Sequence, residues 1–158
     1  TPDRYILKPR GVRIVELARG ATVGGAIDTA LFNGAPPCDE KEDPAVGNVM
    51  YIYQGLGLDP SALADNFDPV LEPDAADLLE PYAAETVAAD GTYLFSYLPA
   101  GDYTLAFSCE AGADDPDLDD GIMIPSPQDV LIEVSPGPGE DWACDFGLPV
   151  DMCERIAP

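Results

Sequence analysis

The 158-residue chain contains no histidine. That absence removes Ser-His-Asp and Cys-His nucleophilic machinery and the two-histidine facial iron site. Serine is also scarce: only five occur, and none stands in a GxSxG turn. There is no GxxxxGK[ST] phosphate loop and no GxGxxG opening a helix; Gly55-Leu56-Gly57 reads as an ordinary loop. No apolar run reaches the ~18–20 residues of a membrane span, so membrane insertion is not expected of this chain. Thr1-Pro2-Asp3 does not read as a signal peptide, so any export signal is expected to have been removed or to lie further upstream. A carboxylate-pair hydrolase is the catalytic class that 30 acids leave open, but abundance is not placement, and the chain reads as a non-enzyme.

Positive charge is the next scarcity. Seven basic residues face 30 acids, for a net charge of −23. Nucleic acid and anionic membrane surfaces are thereby disfavoured as partners, since binding phosphate needs a basic surface. With 46% hydrophobic residues the chain is nonetheless no disordered acidic tail, and its length suits one domain with a real core. The charge is unevenly spread. Residues 1–19 hold Arg4, Lys8, Arg10, Arg13 and Arg19 against Asp3 and Glu16, a net of +3. The remainder holds Lys41 and Arg155 against 28 acids, a net of −26. Residues 1–19, with Val12, Ile14, Val15 and Leu17, thus read as a basic N-terminal strand or arm, and 20–158 as the domain proper. The arm is either the first strand of its own sheet or a connector to an acidic neighbour.

The four cysteines, Cys38, Cys109, Cys144 and Cys153, show no CxxC spacing. Without histidine, a zinc site would need four scattered thiolates, so a disulfide framework and an oxidising compartment are expected. Alternation in Asp102–Cys109 puts Tyr103, Leu105, Phe107 and Cys109 on one face, and Cys109 therefore points inward. Spacing favours Cys144–Cys153 with Cys38–Cys109. Cys109–Cys144 stays open, because Trp142, Cys144 and Phe146 also share a face.

From residue 20 onward the pattern is β. Strands are expected at Gly20–Asp28, Asn48–Gln54, Thr92–Leu98, Asp102–Cys109, Gly121–Ile124, Asp129–Ser135 and Asp141–Leu148, with turns at Asp90-Gly91, Pro99-Ala100-Gly101 and Pro136-Gly137-Pro138-Gly139. The Asp-, Pro- and Ala-rich stretch 59–89 reads as an insert with helical turns at Ser61–Ala64 and Ala75–Glu80, the first capped by Ser61. No amphipathic helix of useful length separates the strands. The expected fold is all-β: an antiparallel transthyretin-like or immunoglobulin-like sandwich of seven or eight strands, with an N-terminal strand or arm.

The segment Asp90-Gly91-Thr92-Tyr93-Leu94-Phe95-Ser96-Tyr97-Leu98-Pro99-Ala100-Gly101-Asp102-Tyr103-Thr104-Leu105 resembles the hairpin of carboxypeptidase-regulatory-like and Cna-B-type domains. Val23-Gly24-Gly25-Ala26-Ile27 is similar to that family's first strand, and Ile132–Gly137 to its last strand and turn. Over its whole length the chain also resembles the C-terminal region of an uncharacterised bacterial surface-lipoprotein family, through Lys8–Arg13 and Phe107–Asp120. These likenesses imply a secreted, non-catalytic sandwich. The chain departs from the plain module in its insert at 59–89 and its Cys153 segment. Its two lysines, Lys8 and Lys41, stand outside the first-strand place used by the Cna-B lysine–asparagine isopeptide.

Candidate sites are few. Asp114, Asp115, Asp117, Asp119 and Asp120 concentrate hard oxygens suited to Ca²⁺. As an EF-hand the loop fails: in Asp115–Gly121 the glycine comes one place late, and no glutamate stands at position twelve. The other reading of the loop is a merely solvated acidic surface. Tyr51, Tyr53, Tyr82, Tyr93, Tyr97, Tyr103 and Trp142 would form a glycan-stacking platform if exposed, though alternating strand positions favour the core. Two functions follow. One is a structural or adhesive module of the cell exterior, self-associating as a homopolymer or filament through its N-terminal strand, or bound to another cell-surface protein. The other is a calcium- or carbohydrate-binding accessory module of a secreted protein.

Overall fold

The computed structural model describes residues 19–32, 38, 41, 46–68, 70–75, 77–115, 117–147 and 151–157. The basic segment 1–18, and with it the expected N-terminal strand or arm, lies outside the described residues.

Among the described residues eight strands form two four-stranded sheets: β1 (Ala21–Ala26), β2 (Val49–Gln54), β3 (Ala83–Thr86), β4 (Thr92–Leu98), β5 (Tyr103–Ser108), β6 (Leu131–Val134), β7 (Asp141–Asp145) and β8 (Met152–Ile156). The first sheet runs β4-β1-β7-β8 and the second β3-β2-β5-β6. Every pairing is antiparallel except β1 with β7, which is parallel. The fold is therefore the all-β, eight-stranded sandwich that the pattern predicts. Helical content among the described residues is slight: one turn at Thr29–Phe32 and short 3₁₀ turns at Pro60–Ala62, Pro73–Ala75 and Ala111–Ala113.

Between the sheets lies the main core. Ala21 and Val23 of β1, Tyr93 and Phe95 of β4 and Cys144 and Phe146 from the β7 region meet Met50, Ile52, Tyr103, Leu105, Phe107, Ile132 and Val134. Alternation produces this face on β4, where Tyr93 and Phe95 are buried and Thr92, Leu94 and Ser96 are exposed. Burying thirteen such groups is the main apolar contribution to stability. Strand β1 is tightly enclosed: a Cβ at Gly25 would overlap the carbonyl oxygen of Cys144, so only glycine fits there.

The central strands of the second sheet, β2 and β5, are buried on both faces. All six residues of β5 are buried, as are Met50 through Tyr53 of β2. On its outer face Tyr51, Tyr53 and Ala106 pack against Leu63, Ala111 and Ile124, which arrive from two long excursions. This explains the unbroken apolar run of β2, since a strand covered on both sides has no solvent-facing positions.

Several expectations need correction. The Asp90–Leu105 segment is not a hairpin: β4 pairs with β1, whereas β5 pairs with β2 and β6. Its connection crosses from one sheet to the other, and the corner is held by Gly101 N–H to Pro136 O at 3.1 Å and Tyr103 Oη–H to Pro99 O at 2.9 Å. Gly121–Ile124 forms no strand; Ile124 is buried and Ile122 half-buried against the outer cluster instead of pairing. Within 59–89 the helical turns are Pro60–Ala62 and Pro73–Ala75, and β3 follows them. The first turn is capped by Asp59, whose Oδ1 accepts from the Ser61 amide at 2.9 Å and the Ser61 hydroxyl at 2.8 Å. Finally, the C-terminal segment is an added strand, β8, on the edge of the first sheet.

Candidate functional site

The excursion 59–82 folds back over the outer face of the second sheet. Leu63 bridges Leu79, and Leu79 N–H reaches Ala62 O at 2.7 Å, so the excursion is itself a narrow loop. The buried Tyr53 hydroxyl donates to Ala64 O at 2.7 Å and fixes it to the sheet. This places Asp65 beneath the surface, 0% exposed. The β5–β6 connection then brings Asp114 and Asp120 to the same point. One carboxylate oxygen from each of Asp65, Asp114 and Asp120 lies within 4.8 Å of the others.

Electrostatically this cluster is unresolved. Asp65 Oδ2 accepts from Asp120 N–H at 3.2 Å, and the nearby Ile122 amide also favours the charged carboxylate. Asp65 Oδ1 has no partner, nor does Asp114 Oδ1. The buried Tyr51 hydroxyl faces Asp114 but completes no hydrogen bond of normal geometry. Burial first, then the charges of Asp119 and Asp114, push the Asp65 carboxyl up to about 7, against the pull of the two amides. Burial, with Asp120 and Asp115, likewise raises Asp114. A buried carboxylate with an orphaned oxygen is costly unless something compensates it. A hard cation does so by supplying opposite charge and filling the open oxygen sites. The cluster has the donor set to hold a metal ion.

Of the five loop aspartates, the structure brings Asp114 and Asp120 to this point. Asp115, Asp117 and Asp119 stand outside it. Asp115 Oδ1 accepts from Asp117 N–H at 3.0 Å and Asp119 Oδ1 from Gly121 N–H at 3.3 Å, local turns that shape the loop. Asp115 N–H also donates to Asp120 Oδ2 at 2.5 Å. Asp65 is the member the sequence pattern did not mark. Its signal was present, because an acid within Leu63-Ala64-Asp65-Asn66-Phe67 sits among residues that bury themselves.

Disulfides join Cys38 to Cys109 and Cys144 to Cys153, which removes the Cys109–Cys144 alternative. The second is a cross-strand pair, with Cys144 directly opposite Cys153. The first sits where β5 leads into the acidic loop. There Lys41 Nζ donates to Cys109 O at 2.6 Å and to the buried Asn48 Oδ1 at 2.7 Å, and Ala111 N–H reaches Gly47 O at 3.1 Å. Two disulfides fit an oxidising, extracellular environment. Among the described residues no helix is long and apolar enough to cross a membrane. Of the seven aromatic residues considered for sugar stacking, Tyr51, Tyr53, Tyr93 and Tyr103 are buried and offer no face to a sugar, while Tyr97 is 59% exposed.

No family model matches the chain, and no curated protein is found to be similar to it.

Proposed function

We propose that this chain is a non-catalytic β-sandwich module of an extracellular or cell-surface protein, stabilised by Ca²⁺ at Asp65, Asp114 and Asp120. One observation carries the proposal: a fully buried aspartate whose Oδ1 has no partner lies against two further carboxylates. An oxygen-only set favours a hard cation over zinc or copper. Calcium suits it better than magnesium, because Ca²⁺ accepts irregular shells of about 6–8 oxygens whereas Mg²⁺ demands near-ideal geometry and keeps its water. The role is structural or adhesive, in line with the resemblance to carboxypeptidase-regulatory-like and Cna-B-type domains and with a sequence lacking histidine. Melting curves with calcium, with magnesium and with chelator, at matched ionic strength, test it. A hundredfold excess of calcium over Kd is expected to add about 2.7 kcal/mol, and magnesium less. Three superimposable curves remove calcium from the function.

Self-association is the second reading, favoured by the edges of the first sheet. Strands β4 and β8 form those edges and expose Leu94, Tyr97, Met152 and Ile156. Such edges recruit strands, and the basic, Val- and Ile-containing segment 1–19 has the composition to supply one to a neighbouring acidic molecule. Deleting 1–19 is expected to leave the domain folded and abolish assembly. Assembly that survives the deletion rejects the segment as connector.

A further inference from the structure

The two parts that meet at the carboxylate cluster are anchored very differently. Asp114 and Asp120 belong to a loop rooted at Cys109, which is tied covalently to Cys38 and held by Lys41 and the Gly47 carbonyl. That side is fixed. Asp65 belongs to the excursion 59–82, which contains no cysteine. It leaves β2 through Gly55 and Gly57, both at positive φ (112° and 65°), a conformation natural to glycine and permissive of rearrangement. It returns at Tyr82, whose amide reaches Ile52 O at 2.7 Å.

Between those ends, polar ties to the rest of the molecule include Tyr53 Oη–H to Ala64 O, Asp68 N–H to Asp117 O at 3.1 Å, and Asp120 N–H to Asp65 Oδ2. The last two lie at the acidic loop itself. Beneath the excursion are Tyr51, Tyr53 and Ala106, all 0% exposed. Where the excursion meets the loop, like charges oppose each other and Oδ1 of the buried Asp65 is unpartnered.

We propose that the cation bound by Asp65, Asp114 and Asp120 is a latch: it clamps the excursion 59–82 over the outer face of the second sheet, and its loss releases the excursion while the sandwich stays folded. The proposal rests on the calcium site above and adds what that site controls. A cation shared between a loop anchored by a disulfide and one without such a bridge converts repulsion into a crosslink. When it leaves, the repulsion returns at the contact that excludes water from Tyr51 and Tyr53. The disulfide compartment is the setting in which the latch closes, because extracellular calcium modules work at Kd values of about 10⁻⁴–10⁻³ M.

Hydrogen exchange with mass spectrometric readout on the full, disulfide-intact chain tests the latch, with calcium binding measured in parallel by calorimetry. In chelator, amides of residues 62–80 are expected to exchange at least about tenfold faster than in calcium, while β1, β4 and β5 keep their protection. Asp65→Asn and Asp120→Asn are each expected to lose the calcium response, exchanging over 62–80 at one rate in both conditions, and Asp115→Asn to behave as the parent. Calcium binding with unchanged exchange over 62–80 overturns the latch and leaves the site standing. Absence of binding overturns both. Faster exchange spread evenly over all strands also overturns the latch, since it would show global rather than local opening.

Discussion

The two faces of the second sheet are stabilised by different physics. Inward, Met50, Ile52, Leu105 and Phe107 meet the first sheet in an apolar core. Outward, Tyr51, Tyr53 and Ala106 are equally buried, but the layer above them contains Asp65 with its orphaned oxygen. An apolar core needs only area and fit. The outer layer combines area with three clustered carboxylates, and on the proposal above its stability depends on a cation. On that proposal, equal burial conceals unequal dependence on ions and pH.

Perturbing the inner face is expected to have the largest effect. Leu105→Ala, at a 0%-exposed position in the middle of β5, should cost about 2–5 kcal/mol in urea denaturation. The loss should be the same in calcium and in chelator; a calcium-dependent loss would erase the distinction between the faces. Replacing both Cys38 and Cys109 with alanine comes next. Their bridge spans a sequence separation of 71, so its removal should cost about 4 kcal/mol through the freed unfolded chain. Calcium should also bind more weakly to that variant, because the fixed side of the site loses its anchor. Unchanged calcium affinity would show that the loop is held by its turns alone.

The pH response is a smaller effect and sharpens the comparison by its sign. Asp65 has a folded-state carboxyl raised to about 7 from its ordinary 3.8. A raised acid binds its proton more tightly when folded, so without cation its favourable contribution is present at low pH. That contribution is lost as pH rises from about 4 through about 7. In chelator, Asp65→Asn should therefore gain stability over the parent progressively across this window, since the amide never carries the buried charge. In saturating calcium the order should reverse at neutral pH. Denaturation curves of parent and variant at several pH values supply the check, and a parent that stays ahead in chelator throughout would contradict the assignment.

The inner face was readable because alternation carries it directly: Tyr103, Leu105, Phe107 and Cys109 share a face and all point into the core. That inward Cys109 also made its pairing with Cys38 legible. Strand partnership was not readable at Leu98-Pro99-Ala100-Gly101, where a tight turn and a sheet-to-sheet crossing need the same residues. What separates the two geometries is non-local: β4 pairs with β1, β5 with β2 and β6, and Gly101 bonds to the distant Pro136. Strand β3 was hidden for another reason. Ala83-Ala84-Glu85-Thr86 has low strand propensity and is held by pairing with β2, a tertiary effect. The acidic loop announced itself by composition, and composition overstated it, because Asp115 and Asp119 serve local turns. Asp65 lies about fifty residues away in sequence and joins the site only through the folding back of the excursion.

Isothermal titration of the chelator-stripped, disulfide-intact protein with calcium chloride tests the central claim most directly, run alongside Asp65→Asn and Asp115→Asn. The account predicts one calcium bound per chain in the parent and in Asp115→Asn, and none in Asp65→Asn. Binding that persists unchanged in Asp65→Asn, or no binding heat in the parent, would contradict it.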